Sequence, residues 1–199
     1  MVLHNGMILK TGFPLINGFQ LIAILLITTS CQQAKTADSN DFEQAVRQEA
    51  IAYFETFAQR SDWDKFCSFY REDLHFKDIT LQLELDSLWK FKRFYKWDEE
   101  GDRFRKMFPE QKHLNLQSLV VEGNTVAGKG HLNPFYYDGE LVNTEWGMEF
   151  TIWLRFDENL KIIEQIDWME YDPATLENTI KRCKENGFEA IPQWLDLTK

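Results

Sequence analysis

Two aspartates are the side chains of this sequence best suited to proton chemistry. Asp78 ends an alternating, strand-like run in which Leu74 and Phe76 share its face. Asp167 lies in a second run, among large apolar residues. A carboxyl group in an apolar pocket has a raised pKa and can then exchange protons near neutral pH. The competing interpretation is that both are ordinary acids at strand ends, hydrogen-bonded to Trp, Tyr or backbone donors.

The segment that carries Asp167 predicts an antiparallel hairpin. Residues 146–171 contain two long alternating runs joined by Asp-Glu-Asn at 157–159. One face of the first run is apolar and consists of Trp146, Met148, Phe150, Ile152 and Leu154. A carboxylate among large apolar neighbours on the second run indicates that this face covers a pocket rather than a solid core.

Helices are predicted on both sides of the strand-like runs. Apolar residues at spacings of three and four predict a helix from Asp41 to Arg60, and a shorter helix follows Asp62. Residues 114–142 predict further hairpins, and a last helix begins at Asp172 and stops at Gly187. Helices followed by hairpins in series imply an α+β domain, with an antiparallel sheet curled around the N-terminal helices.

The segment from Leu81 to Pro109 leaves two alternatives open. Asp86–Trp97 and Glu99–Phe108 fit either two helices broken near Gly101 or one kinked helix. Its basic side chains are interpreted as a solvated helix face rather than an anion site.

The first thirty residues differ from the rest of the chain. Lys10 is their only charge, and the apolar run 19–27 is far shorter than the roughly 20 residues that a membrane-spanning helix needs. The pattern favours a signal peptide. The small residues before Cys31 resemble the bacterial lipobox, in which the cysteine is acylated and becomes the new N-terminus. The alternative is an ordinary secretory signal cleaved nearby, and Met7 is an equally good start.

These features divide the chain into four parts. We expect a signal peptide at 1–30, a flexible tether at 31–40, the domain at 41–187 and a C-terminal tail at 188–199. The protein would then be lipid-anchored in the bacterial cell envelope, on the periplasmic or surface face of a membrane.

Composition and charge exclude several classes. A chain of 199 residues with 44% apolar content forms one well-filled domain. Its net charge of −10 argues against nucleic acid and against direct adhesion to anionic lipid, so membrane contact is expected through the N-terminal lipid only. No Cys/His cluster supports a metal site, and no cofactor is expected.

The order of motifs resembles the nuclear transport factor 2-like superfamily, in particular its SnoaL-like and ketosteroid-isomerase-like members. The motifs are Asp62-Trp-Asp64, the run from Arg71 to Asp78, and the late Arg155-Phe-Asp-Glu followed by the run from Lys161 to Asp167. The resemblance covers Asp41 to about Tyr171. It implies a conical curved sheet that encloses a deep, mostly apolar pocket, and members are commonly dimeric, so a homodimer is one expected assembly.

The resemblance also implies roles for single residues. Asp78 falls where the isomerases have their general base, whereas Phe54 and Ile152 fall where they have two oxyanion donors. Neither Phe nor Ile can donate a hydrogen bond, and losing a single oxyanion donor costs about 10²–10³ in rate, so a steroid-type isomerase is disfavoured. The SnoaL-like cyclases carry a catalytic Asp on the last long strand, and Asp167 matches it.

Three functional hypotheses follow. The favoured one is a membrane-tethered domain that binds a small hydrophobic molecule or a partner, without established catalysis. The rival is an isomerase or cyclase that acts on a hydrophobic carbonyl compound with Asp167 or Asp78 as base, and the third is a structural dimer with a filled interior. The predicted ligand-binding residues are Tyr53, Phe54, Phe57, Phe76, Trp146, Phe150, Ile152, Gln165 and Met169.

Overall fold

The first helix supplies the surface on which the rest of the domain packs. The computed structural model describes residues 18–95, 104–137 and 139–185. Helix α1 (Gly18–Gln59) buries the predicted apolar stripe, including Val46, Tyr53 and Phe57. Helix α2 (Trp63–Ser68) follows, and the side chain of Asp62 caps it by accepting a hydrogen bond of 2.9 Å from the Lys65 amide.

The helix α1 begins well before Asp41. It includes residues 31–40, for which the sequence predicts a flexible tether, and Gln32, Gln33, Ala34 and Lys35 are all good helix formers. The chain divides into two compact units between Ser39 and Asn40, next to the predicted start of the domain. Within the described residues, no helix combines the length and apolarity needed to cross a bilayer.

The strands form two sheets. The larger has the order β2-β1-β9-β8-β5-β4 and the smaller the order β3-β6-β7. The strand bounds are β1 (Tyr70–Asp78), β2 (Leu83–Leu85), β3 (Phe104–Lys106), β4 (Leu114–Glu122), β5 (Thr125–Leu132), β6 (Phe135–Tyr137), β7 (Glu140–Val142), β8 (Glu149–Phe156) and β9 (Ile162–Met169). The α+β class with a curved, unclosed sheet is confirmed.

The large sheet is mixed rather than wholly antiparallel. Strand β1 pairs in parallel with β9, whereas the other pairs are antiparallel, and the predicted hairpin of β8 and β9 is present. Register shifts interrupt three pairings, β1 with β9, β4 with β5 and β8 with β9, and such bulges bend a sheet. The bend wraps the sheet around the part of α1 that follows Ser39.

Two glycines of β5 allow the helix and the neighbouring strand to approach the sheet closely. A Cβ atom at Gly128 would lie 2.7 Å from Cε2 of Phe54, a side chain of α1. A Cβ at Gly130 would lie 2.8 Å from Cζ of Phe150 and closer still to the backbone of Asn115. Real Cβ contacts are longer than these, so a side chain at Gly130 would collide with backbone and one at Gly128 would force the Phe54 ring to shift.

The segment 81–109 is only partly as predicted. Helix α3 (Leu88–Tyr95) lies within the first predicted helix, but the prediction of a second helix at 99–108 is wrong for its described part, because Phe104–Lys106 pairs with β6. Pairing with a neighbouring strand overrides local helical propensity here.

Helix α4 (Pro173–Glu185) starts as predicted, with Asp172 accepting from the amides of Ala174 and Thr175. Gly187 and the tail 188–199 lie outside the described residues.

Candidate functional site

Asp78 and Asp167 lie side by side on the inner face of the sheet. They are register partners in the parallel pairing of β1 with β9, close to the end of each strand. Each residue is only 1% exposed. Since side chains alternate along a strand, Phe76 and Gln165, the preceding register pair on the same face, lie beneath them in the core.

Both carboxyl groups line one cavity of about 140 Å³. An enclosed apolar cavity of about this size holds benzene, and this one also opens to the surface, so it can take a longer molecule. Most of the surface of its wall is apolar, and the apolar side chains are Phe57, Phe94, Phe104, Leu132, Phe135, Leu141, Val142, Met148 and Met169. The polar side chains of the wall are Arg60, Asp78, Tyr95, His113, Tyr137, Glu140, Asp167, Tyr171, Thr175 and Asn178. Exposed Glu140 and half-exposed Leu141 mark the side at which the cavity reaches the surface.

Asp78 is held by backbone and side-chain donors. Its Oδ1 accepts from the Leu81 amide at 2.8 Å, and its Oδ2 accepts from the Tyr171 hydroxyl at 3.1 Å. Burial raises the pKa of Asp78 to about 6, and these hydrogen bonds oppose the increase. At pH 7 the Asp78 carboxyl group is therefore mostly ionised.

Asp167 has a more strongly raised pKa than Asp78. Burial, and then the charge of neighbouring Asp78, raise the pKa of Asp167 to about 8. Its Oδ1 accepts from Nε2 of Gln165 at 2.9 Å, and its Oδ2 accepts from the Tyr95 hydroxyl at 3.0 Å. Between pH 6 and 8 the pair therefore holds one proton, which resides mainly on Asp167.

A buried polar network fixes the orientation of Gln165. Its Oε1 accepts from the hydroxyl groups of Tyr70 at 2.7 Å and Tyr53 at 3.1 Å, so its Nε2 faces Asp167 and the Tyr95 hydroxyl. Burial raises the pKa of all three tyrosines well above 10, so they are neutral donors. The network thus connects α1 to the acid pair through hydrogen bonds.

Four of the predicted site residues meet in the cavity. Asp78, Asp167, Phe57 and Met169 all line it. Tyr53 and Gln165 lie behind the wall, where they connect to Asp167 through the network.

The other predicted lining residues lie elsewhere. The predicted lining by Phe54, Phe76, Phe150 and Ile152 is wrong, because these side chains pack within the aromatic and aliphatic core and do not line the cavity. Trp146 is 45% exposed and donates its indole N–H to the backbone of Asn143. Gly147, at φ +96°, turns the chain before β8 begins, so Trp146 does not continue the apolar face of the strand.

The wall residues that were not predicted from the sequence include Arg60, Tyr95 and His113. Arg60 is the residue after α1, at φ +49°, and its guanidinium stacks 3.3 Å from the ring centre of Phe104. Burial lowers the pKa of Arg60 to about 9, which leaves it charged at pH 7. An arginine that ends an apolar helix just before Ser61 was the available signal, but helix C-termini commonly carry bases.

Metal chemistry has little support among the described side chains. They include no group of three or more His, Cys, Asp or Glu residues that could hold an ion. Cys67 is partly buried. The side chains of Cys31 and Cys183 lie outside the described set.

Comparison with known proteins gives a structural match only. No family model matches the chain, and no curated protein matches it. Among solved structures, a protein assigned as a SnoaL-like polyketide cyclase from Shewanella putrefaciens CN-32 superposes with a TM-score of 0.51 at 17% identity, covering 69% of this chain and 97% of that one. One with the same assignment from Shewanella denitrificans OS-217 gives 0.50 at 18% identity, covering 69% and 98%.

The chain therefore has a nuclear transport factor 2-like fold. At these identities the match establishes the fold and leaves the chemistry to the site itself. In this domain the site is the acid pair on β1 and β9, together with the cavity that it faces.

Proposed function

We propose that the domain binds a small hydrophobic carbonyl compound in the cavity and moves a proton on it with the two aspartates. The observation that carries this proposal is the acid pair itself. Asp78 and Asp167 are buried neighbours on one apolar cavity wall, and they share a single proton around pH 7. Two carboxyl groups whose pKa values are pushed apart are suited to serve as base and acid at the same pH.

In the proposed reaction, ionised Asp78 takes a proton from the carbon next to the carbonyl group. The electron pair of that C–H bond moves toward the carbonyl oxygen, and neutral Asp167 donates a hydrogen bond to the oxygen as charge develops there. If the proton on Asp78 is replaced by one from solvent before it is returned to the same carbon, the result is an exchange; return of a proton to another carbon of the enolate completes an isomerisation. A positioned general base supplies about 10²–10⁴ in rate.

The role of Asp167 compensates for the two missing oxyanion donors. Phe54 and Ile152, which resemble the donor positions of the isomerases, are buried in the core and cannot donate. A carboxylic acid that stays neutral at pH 7 can donate a hydrogen bond to an oxyanion.

Binding without catalysis is the second candidate. It is favoured by the hydrogen bonds that already satisfy each carboxyl group, from Leu81 and Tyr171 on one side and from Gln165 and Tyr95 on the other. A carboxyl group fixed in this way can be a purely structural element of the wall.

Acetophenone in D₂O separates the two candidates. Its methyl protons lie next to the carbonyl group, so exchange is followed by proton NMR, and binding is measured in the same samples from protein-induced shifts. We expect binding, and an exchange rate that falls about 100-fold or more in Asp78→Asn. Asp73→Asn, a change of an exposed aspartate on the same strand, is the matched control and should leave the rate unchanged. Binding without any exchange above the Asp78→Asn level would refute catalysis.

We also propose that the domain is tethered to a membrane of the cell envelope. The support is the short apolar run before Cys31 and its resemblance to a lipobox. A mass spectrum of the protein purified from its own host tests this: the mass of a chain that begins at Cys31, increased by lipid, is expected. An unmodified chain that retains residues 1–30 would contradict the proposal.

A further inference from the structure

Arg60 provides the cavity with a fixed positive charge. Its guanidinium stacks on Phe104, and its Nη2 donates to the backbone oxygen of Tyr95 at 3.1 Å. The ring centres of Phe57 and Tyr95 lie 5.8 Å and 5.9 Å from its Cζ atom. Stacking between aromatic faces holds the guanidinium plane, and a guanidinium has five N–H donors in that plane. This geometry suits a carboxylate, which arginine binds through two parallel hydrogen bonds.

His113 adds a second polar group to the same wall. It is 4% exposed, and its backbone amide donates to the backbone oxygen of Ala58, near the end of α1. Its ring packs edge-on against Phe104 and Phe135, with ring centres 5.0 Å and 4.9 Å apart. Its buried Nδ1 has no hydrogen-bond partner among the described groups. Buried polar atoms are rarely left this way, and their partners include ordered waters, ions and bound molecules.

The charge of Arg60 and the acid pair occupy different parts of the cavity. The Arg60 charge acts on Tyr95 and His113. Tyr95 connects the two parts, since its backbone oxygen accepts from Arg60 and its hydroxyl donates to Asp167. Arg60 and Asp167 therefore contact opposite ends of Tyr95.

We propose that the ligand of this cavity is a small carboxylate with an apolar body and a distal carbonyl group. Its carboxylate lies against Arg60 and the Nδ1 of His113, its body packs on the aromatic wall, and its carbonyl group reaches Asp167. This inference rests on the proposed function and adds to it the substrate class. Glu140 is the other acid of the wall, but it lies exposed at the rim, where solvent screens its charge.

The probe for this inference is 4-acetylbenzoate, and its neutral counterpart is 4-acetylbenzamide. Calorimetric titration of the full chain measures both affinities. We expect the acid to bind at least about tenfold more tightly than the amide, since charge-assisted hydrogen bonds are about twice as strong as neutral ones. Arg60→Gln should remove this preference and keep the affinity for the amide, and His113→Phe should reduce the preference. Arg105→Gln is the matched control: this arginine also stacks on a ring, that of Tyr136, but does not line the cavity.

The wild-type comparison decides the inference even if Arg60→Gln does not fold. Equal affinity for acid and amide would overturn the carboxylate inference and leave the proposed function standing, provided that Asp78-dependent exchange of acetophenone is present. A preference that persists in Arg60→Gln would also overturn it. Absence of binding by both probes and by acetophenone would overturn the inference and the proposed function together. Asp78→Asn should keep the preference for the acid while losing exchange of its methyl protons.

Discussion

The proton on Asp167 makes the stability of the domain depend on pH in a direction that can be calculated. Burial raises the pKa of this group from 3.8 to about 8, so the folded state binds its proton more tightly than the unfolded state does. The stabilisation is complete below pH 3.8 and is lost as the pH rises toward 8. Each pH unit between these values costs about 1.4 kcal/mol, so the loss from pH 5 to pH 8 is about 4 kcal/mol.

Other buried groups also contribute to the pH dependence of the unfolding free energy. Asp78, with its pKa raised to about 6, adds a loss of the same sign between about pH 4 and 6. His113 acts in the opposite direction: its pKa is lowered well below 6.5, so the unfolded state gains a proton below pH 6.5 and stability falls on acidification. A single pH profile therefore mixes three groups.

The substitution Asp167→Asn isolates the contribution of Asp167. Asparagine has nearly the same shape, accepts from Gln165 and does not titrate. Urea unfolding of both proteins at pH 5 and pH 8 gives four unfolding free energies. We expect the unfolding free energy of the variant, relative to that of the wild type, to rise by about 4 kcal/mol from pH 5 to pH 8. The contributions of the titrating groups common to both proteins largely cancel in this difference.

A change near zero in this difference of unfolding free energies would refute the prediction. That result would mean that Asp167 is ionised in the folded protein at pH 5, and that Asp167 is not the neutral acid of the pair. A gain of similar size in Asp73→Asn, at an exposed position, would show instead that the pH dependence arises from the net charge of the chain and not from the cavity.

Three further predictions concern positions around the site. Gly128→Ala should lower the unfolding free energy by about 1–3 kcal/mol in thermal or urea unfolding, because the added Cβ collides with Phe54, and no loss would show that the ring can move aside. Tyr53→Phe should cost about 1 kcal/mol by the same measurement, since it removes one hydrogen bond to buried Gln165. Trp146→Ala should change acetophenone affinity less than twofold and stability by about 0.5 kcal/mol or less, because the indole is 45% exposed outside the cavity, and a loss of binding would contradict its placement.

Much of the architecture follows from local pattern. Alternation predicted the β8–β9 hairpin, and a stripe of apolar residues predicted the buried face of α1. The parallel pairing of β1 with β9 could not be predicted in this way, because strand direction depends on contacts between residues about 90 positions apart. That pairing is also what brings Asp78 beside Asp167.

The lining of the cavity was the harder part to predict. Alternation indicates which side chains point inward, and Phe150 and Ile152 do point inward. Alternation does not indicate whether the interior next to these side chains is filled. Next to Phe150 and Ile152 the aromatic residues of α1 fill it. The cavity remains where Phe57, Arg60 and His113 meet the small β3-β6-β7 sheet, and the sequence pattern of 99–108 had assigned part of that sheet to a helix.

The division of roles between the two acids follows from the kinds of donor that hold them. Asp78 accepts from the Leu81 amide, a backbone donor that side-chain substitution leaves in place and that favours the ionised form. Asp167 accepts from two side chains and lies next to the charge of Asp78, so it is the member of the pair that keeps the proton. Removing the Tyr95 hydroxyl would raise the pKa of Asp167 further and leave Asp78 ionised. The site can therefore lose that donor and still hold one base and one acid at pH 7.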